Sequence, residues 1–483
     1  MSTRITVSPV TRVEGHLGVQ VDVDERGRVQ SARTSGTMFR GFESIMLGRD
    51  PRDAIHLTQR VCGVCPIPHA RTAVEVVEGA FGVDITPNAV LLRNLVQGAG
   101  LVSDHILHFY HLALLDYVHG PKFPPYTPAY SVDQRFSDAE ADAFANDYMM
   151  ALEMRKMAQE MGAIFAGKLP HVMTFAAGGV TQSPTAANVA QFRSLLDELI
   201  PFIDGTYVPG VQKVADRYPE YFKIGAGPAN LLSFGCFPDG AGNQLFSAGR
   251  LWQPGHDKRP ENMGKGEPDR RLRLDGLTEA DVASIDLSVK HAWYDAPNGC
   301  GRAGRAGDPT PDPDKRDAYS WVKAPRLGGD VYQVGAIARM KVDGLYQGGP
   351  SVMDRLLANA LETSKVASAM RGWLDALALD DSGYRHVSAM PASGQAYALT
   401  EAPRGSLAHW LEYQDGKVTG YRIITPTAWN ASPRDDREAP GAMEQALVGV
   451  QVADRSQPVE IYRVIHSFDP CMGCAVHVTV IDE

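Results

Sequence analysis

The chain has 483 residues, 44% hydrophobic and 22% charged, an ordinary globular composition with enough length for a large core. Its formal net charge of −10 and pI near 5.8 argue against nucleic acid as a main partner, because phosphate binding needs a positive field. No stretch reaches the roughly 18 uninterrupted apolar residues of a membrane span, and six cysteines do not make a disulfide framework in a chain this long.

The first residues, Met1 to Pro9, lack a basic segment followed by an apolar one, so no secretory signal is expected in the chain itself and membrane attachment or export should come through a partner. Residues 3–35 alternate apolar and polar positions (Val19, Val21, Val23, Val29) about Asp24-Glu25-Arg26-Gly27, which predicts a β-hairpin. Helical spacing marks 50–80, then 88–117 after the helix-starting pair Thr86-Pro87, then about 137–167, 183–218 and 351–377. His105, His108 and His111 recur every third residue; that spacing spreads them around a helix and predicts packing or partner-facing roles, not a chelate. Segments 253–270 and 297–316 are rich in Pro, Gly and charge and read as surface excursions, while 384–465 returns to short alternating strands.

Two Cys-x-x-Cys pairs, Cys62 to Cys65 and Cys471 to Cys474, stand at opposite ends of the chain. Four thiolates in two chelating turns suit a soft metal, and binding one would join the two ends of the fold. A single pair is compatible with zinc, an iron-sulfur cluster or a redox disulfide. A zinc tetrathiolate is the bland alternative, although zinc pairs usually lie about 15–20 residues apart. Cys236 and Cys300 have no close cysteine neighbour and read as buried packing or loop residues. Because both ends share one site, the expected architecture is one mainly α domain over 1–477, a long-helix bundle core with peripheral β-hairpins and small sheets, followed by a short tail over 478–483.

The motifs around the cysteines go further. Thr11-Arg12-Val13-Glu14-Gly15-His16, Phe39-Arg40-Gly41-Phe42-Glu43, Arg60-Val61-Cys62-Gly63-Val64-Cys65, Glu401-Ala402-Pro403-Arg404-Gly405, Pro426-Thr427-Ala428-Trp429-Asn430 and Asp469-Pro470-Cys471-Met472-Gly473-Cys474-Ala475-Val476-His477 follow one another from end to end. In that order they resemble the large subunit of nickel-iron hydrogenases, and the resemblance covers essentially the whole chain. It implies reversible heterolytic cleavage of hydrogen at a nickel-iron centre. Cys62 and Cys471 would be terminal nickel ligands, and Cys65 and Cys474 would bridge to an iron carrying one carbon monoxide and two cyanides. Four thiolates and two cyanides against two divalent metals leave about two negative charges, which a dry interior rejects unless cations and donors surround them.

The same resemblance assigns the remaining residues. Glu14 becomes the first proton acceptor beyond the Cys471 thiolate, where the bland reading is a salt bridge with Arg12. Arg404 stands above the open metal position, held by Asp104 and Asp469, with Pro403 completing the canopy; Pro426 and Thr427 shield and hydrogen-bond a cyanide. His69 is a donor to a bridging thiolate, and Glu43, the carbonyl of Ile423 and His477 hold a magnesium-type ion. With no cysteine left for an electron-transfer cluster, an iron-sulfur small subunit is implied in an obligate heterodimer, alone or paired as a dimer of heterodimers. A maturation protease and metal-insertion proteins follow too, since such subunits are cut after the final histidine. Here Val478 to Glu483 lie beyond it, a tail shorter than such an extension is expected to be, and both a trimmed precursor tail and a native short one fit it. Cys471 stands where selenium-containing relatives place selenocysteine. The expected compartment is the periplasm, reached with a signal-bearing small subunit, with the cytoplasm as the alternative; a hydrogen sensor and a noncatalytic respiratory subunit are the competing functions.

Overall fold

The computed structural model describes residues 3–120, 131–253, 272–296, 300–302, 309–379, 381–387 and 389–475. His477 and the 478–483 tail lie outside them, as do 254–271, 297–299 and 303–308 of the two expected surface excursions.

Four long helices, Pro87–Ile106, Asp138–Ala166, Ala186–Phe202 and Val352–Asp375, form the core. Each starts where a side chain satisfies its free N–H groups. Thr86 accepts from Ala89 ahead of Pro87, Ser137 and Glu140 close a capping box, Thr185 accepts from Asn188, and Ser351 pairs with Asp354 in another capping box. The first is buried along nearly its whole length, as expected of a helix at the centre of a bundle. Among the described residues no helix is long and apolar enough to cross a membrane.

Antiparallel sheets flank this bundle. Strands Thr3–Val7, Leu17–Val23 and Val29–Gly36 form a meander, of which the hairpin expected from sequence is the second half. Val19, Val21 and Val23 point inward as their alternation requires. Strands Ser393–Ala402, Gly405–Gln414 and Lys417–Ile424 form a second meander. The ends of the chain then meet: Val29 N–H donates to Val450, Gly449 N–H to Val29 and Val452 N–H to Gly27.

Several boundaries differ from expectation. The helical stretch over 50–80 is broken at the first cysteine pair, with Asp53–Leu57 and a 3₁₀ turn Thr58–Val61 before it and Pro66–Phe81 after it. Pro66 begins the later helix because a residue without N–H loses nothing at a first helical position. Both 88–117 and 183–218 change to wider π turns, at Leu107–Ala113 and Ile203–Tyr207. After Ile424 the expected strands are replaced by helices Pro426–Asn430, Ala442–Leu447 and Val459–Ser467. In the last of these, Val459, Ile461, Val464 and Ile465 all reach the core, a helical stripe too short to distinguish from strand alternation by pattern alone. Cys236 is buried on the strand Leu231–Pro238, as expected.

The first turn of the second meander is as short as a hairpin turn can be. Ala402 pairs directly with Gly405, so Pro403 and Arg404 alone make the connection. Gly405 has φ +127, and a Cβ there would lie 2.5 Å from Val334 Cγ2 and 2.6 Å from the Gly335 nitrogen. Gly405→Ala should therefore cost about 3 kcal/mol from backbone strain plus overpacking. The readout is the apparent Tm of the purified protein at fixed scan rate; an unchanged Tm would show that this turn tolerates a Cβ.

Candidate metal centre

Two tight turns present the four thiols to each other. Cys62 is extended, with φ −140 and ψ 137, and its sulfur accepts from the Val64 and Cys65 N–H groups, both at 3.3 Å. On the other side the chain reverses at Asp469, whose φ of 49 is a left-handed conformation that Asp tolerates better than most residues. The Cys471 N–H then donates to Thr427 Oγ1 at 2.9 Å.

All four sulfurs lie within 4.8 Å of one another and are buried. The separations are 3.3 Å for Cys62 to Cys471, 3.9 Å for Cys65 to Cys471, 3.4 Å for Cys65 to Cys474 and 2.8 Å for Cys471 to Cys474. One metal with bonds of about 2.3 Å to sulfur in a tetrahedron sets sulfur edges of about 3.8 Å. The thiols are thus already gathered at the scale of a single coordination sphere, and all four cysteines are free of disulfides. Hydrogen bonds from the Cys471, Cys474 and Cys65 thiols pull Cys62 well below the usual thiol range, while burial raises Cys471 and Cys474.

Glu14 reaches the cluster from the N-terminal strip. Its Oε2 accepts from the Cys471 thiol at 3.1 Å and from the Gly473 N–H at 2.8 Å, and its carbonyl accepts from Met472. The approach is backbone to backbone: a Cβ on Gly473 would sit 2.6 Å from Glu14 Oε1, and one on Gly15 would sit 2.7 Å from the Gly473 nitrogen. Burial, then the Cys62 thiolate, raises the Glu14 pKa. Arg12 is not its salt-bridge partner; that guanidinium bonds Asp116 and the Leu112 carbonyl instead.

Arg404 comes from the opposite side, at the tip of the two-residue turn. Its Nε donates to the Asp469 carbonyl at 3.0 Å and lies 3.1 Å from Asp469 Oδ2, and its Nη1 lies 3.6 Å from Asp104 Oδ2. Neither Nη1 nor Nη2 makes a hydrogen bond among the described residues, and Asp104 Oδ1 is also without one. Burial works against the cation, but Asp469, the Cys471 and Cys65 sulfurs and Asp104 outweigh it and hold its pKa well above the ordinary value. These partners favour the protonated guanidinium, so Arg404 stands as a positive charge. Burial pushes Asp104 up to about 8.

A family model described as nickel-dependent hydrogenase matches residues 40–123, 119–350 and 345–477, and a HoxL-like model matches 4–37. The chain belongs to the nickel-dependent hydrogenases. It is 38% identical to the periplasmic NiFeSe hydrogenase large subunit of Desulfomicrobium baculatum, covering 98% of this chain and 95% of that one. It is 33% identical, over the same shares, to the uptake hydrogenase large subunit of Rhizobium leguminosarum bv. viciae. The solved Ni-Fe-Se hydrogenase of D. vulgaris Hildenborough in the reduced state superposes with a TM-score of 0.90 at 37% identity, covering 99% of this chain and 100% of that one. This is a large subunit, the partner of a small one, of an enzyme acting on hydrogen, and its mainly helical fold with small sheets is that of the family.

Other expected residues of this hydrogenase subunit have definite surroundings. Pro426 opens the helix Pro426–Asn430 behind its cap Thr425, which puts Thr427 against Cys471. His69 Nδ1 lies 3.2 Å from His409 Nε2, whose Nδ1 lies 2.7 Å from the Tyr421 hydroxyl, and burial lowers His69 to about 4. Glu43 accepts from the Ile423 N–H at 3.0 Å and pairs with Lys323 at 2.7 Å; the third expected ligand, His477, lies outside the described residues. Arg40 donates to the Val61 and Arg60 carbonyls and so braces the first cysteine turn.

Sequence reasoning missed the charged residues behind the canopy. Of the two roles expected for the histidines the structure shows the packing one: His105 meets Glu362, and His108 meets the His466 carbonyl and Asn359, while His111 packs against Tyr148. Arg339, Glu362 and Glu401 form a fully buried network with His105. Only Glu401 lay in a recognisable motif. Cys471→Ser should lower nickel content at least about tenfold, since a hydroxyl is a poor substitute for a soft thiolate; elemental analysis of the purified variant checks it, and full nickel occupancy would contradict the assignment.

Proposed function

We propose that the four thiolates hold nickel together with an iron carrying one carbon monoxide and two cyanides, Cys62 and Cys471 ending on nickel and Cys65 and Cys474 bridging. When bound, this centre supplies heterolytic cleavage of hydrogen and accepts the electrons. The observation that carries the reading is the 3.1 Å contact between Glu14 Oε2 and the Cys471 sulfur inside the four-thiol cluster, because it gives the centre a proton acceptor of the right reach.

The chain's own groups divide the remaining work. A proton held at Cys471 Sγ passes to Glu14, whose Oε2 lies within hydrogen-bond reach of it at 3.1 Å. Arg404 supplies a positive charge that needs no proton bookkeeping, with both of its terminal NH2 groups free of hydrogen bonds among the described residues. Asp469 and Asp104 orient it, and Pro403 fills the space beside it. Thr427 Oγ1 accepts from the Cys471 N–H, so its O–H would be free to donate to a cyanide, which Pro426 would help to shield. His69, whose Nδ1 is tied to His409, would be the donor to a bridging thiolate.

Glu43, the Ile423 carbonyl and His477 are proposed to hold a magnesium-type ion, with Lys323 as the neighbouring charge. Iron-sulfur clusters belong to the small subunit, because Cys236 is a lone buried thiol and no second cysteine group is found among the described residues. One domain over 1–477, a maturation protease and metal-insertion proteins as partners, and periplasmic placement through the small subunit complete the proposal. The periplasmic name of the D. baculatum relative supports the last of these.

Purified enzyme should contain nickel and iron in near equal amounts at this subunit, with infrared bands of carbon monoxide and cyanide; native activity with stoichiometric zinc and no such bands would overturn the assignment. Glu14→Gln keeps the shape but cannot titrate. It should leave both metals in place and suppress turnover and hydrogen-deuterium exchange by at least about 10²-fold, whereas exchange at the wild-type rate would reduce Glu14 to a structural role.

A further inference from the structure

We infer that Arg339 is a positioning residue: with Glu362 and His105 it clamps the Pro403-Arg404 turn to the helix that carries Asp104, and so fixes where the Arg404 guanidinium stands. This rests on the proposed role of Arg404 and extends it to residues outside the cysteine, Glu14 and Arg404 motifs.

The turn needs an external anchor. Favoured two-residue hairpin turns require a central residue with positive φ, which matches the twist of the flanking strands. Proline cannot provide it, and Arg404 is not among the positive-φ residues; the only such residue there is Gly405, the next in the chain. Local chemistry therefore does not determine the path of the tip.

Arg339, on the helix Ala336–Val342, supplies the missing restraint. Its Nη1 donates to the Ala402 carbonyl at 3.0 Å and its Nη2 to the Pro403 carbonyl at 2.9 Å. These are the two peptide oxygens immediately before Arg404. The other bonds run to Glu401 Oε2 at 2.5 Å and to both oxygens of Glu362 at 2.5 and 2.6 Å. Every N–H of the guanidinium is consumed, a set that lysine cannot reproduce. Glu401 is held from its other side by the Phe234 N–H and the Ser406 hydroxyl, and its carbonyl by Gln97.

The opposite end of the clamp reaches Asp104. Glu362 Oε2 lies 2.7 Å from His105 Nε2, and His105 is the next residue after Asp104 on the helix Pro87–Ile106. The two sides of the 3.6 Å Arg404 to Asp104 contact are thus tied to one guanidinium, through Pro403 on one side and through Glu362 and His105 on the other. The two carbonyl bonds are what set the height of the turn, and constellations of this kind work only within about 0.5 Å of their productive geometry.

The test compares Arg339→Lys in purified enzyme of two backgrounds, wild type and Arg404→Lys, with nickel content measured in each. Arg404→Lys alone should lower turnover about 10²-fold with nickel retained. Arg339→Lys should keep nickel, lower turnover at least about tenfold in the wild-type background and less than about twofold on top of Arg404→Lys, because residues acting through one another are non-additive. A crystal structure of Arg339→Lys should show the Arg404 to Asp104 separation changed by more than about 0.5 Å. Equal losses in both backgrounds, or an unmoved Arg404, would overturn the clamp while leaving the Arg404 reading intact. Near wild-type turnover in Arg404→Lys would overturn that reading and this inference with it. Should Arg339→Lys fail to retain nickel, Glu362→Gln in the same two backgrounds decides on the same criteria, and nickel loss there too assigns the network to folding and overturns the positioning role.

Discussion

Four sulfur atoms from residues 62–65 and 471–474 must occupy one buried point, and the cost of that convergence organises the molecule. Thiolates attract a soft cation, but they repel one another and lose water on burial. The fold answers with directed N–H groups at Cys62, a threonine hydroxyl at the Cys471 backbone, and one guanidinium whose partners hold it as a permanent cation. Bringing the two ends together also closes the chain on itself, which the pairing of 449–452 with the first hairpin completes.

The two faces of the cluster are built by opposite means. On the Glu14 face, backbone meets backbone, and absence of a side chain at Gly15 and Gly473 is what lets the carboxylate approach. Here the important interaction is short and local, and its proton affinity is tuned by burial. On the Arg404 face, position comes from long side chains anchored far away. Asp104 and Asp469 contact the guanidinium directly, whereas the turn beneath it is fixed by a second guanidinium that never touches the cluster.

That second layer is expensive in isolation. Arg339, Glu362, Glu401 and His105 are all buried, and buried ion pairs seldom stabilise more than well-packed apolar residues of similar size. Their value lies in direction: a planar fork with five donors specifies one arrangement of its acceptors, which apolar packing does not. The same logic is visible in the Arg93–Glu78 pair and around Arg463, where guanidiniums bind backbone carbonyls as well as carboxylates.

Sequence alone determined the four-cysteine metal group and the class of the fold. Two Cys-x-x-Cys turns, the Glu14 and Arg404 motifs and helices announced by Thr86-Pro87, Ser137 and Ser351 are local signals, each written within a few residues because chelation, capping and turn formation act over that range. What happened between such signals was decided by tertiary packing. A helical period over 50–80 yielded to the cysteine turn, the alternation after Ile424 proved to be helix stripes, and π turns widened two long helices. Glu43 was legible as an acidic residue in a motif, yet its pairing with Lys323, 280 residues away, was not. The network of Arg339, Glu362 and His105 left no trace in the sequence for the same reason. Its members are separated by 23 and 257 positions, and a buried ion pair has no period or spacing of its own; only the fold brings its charges together.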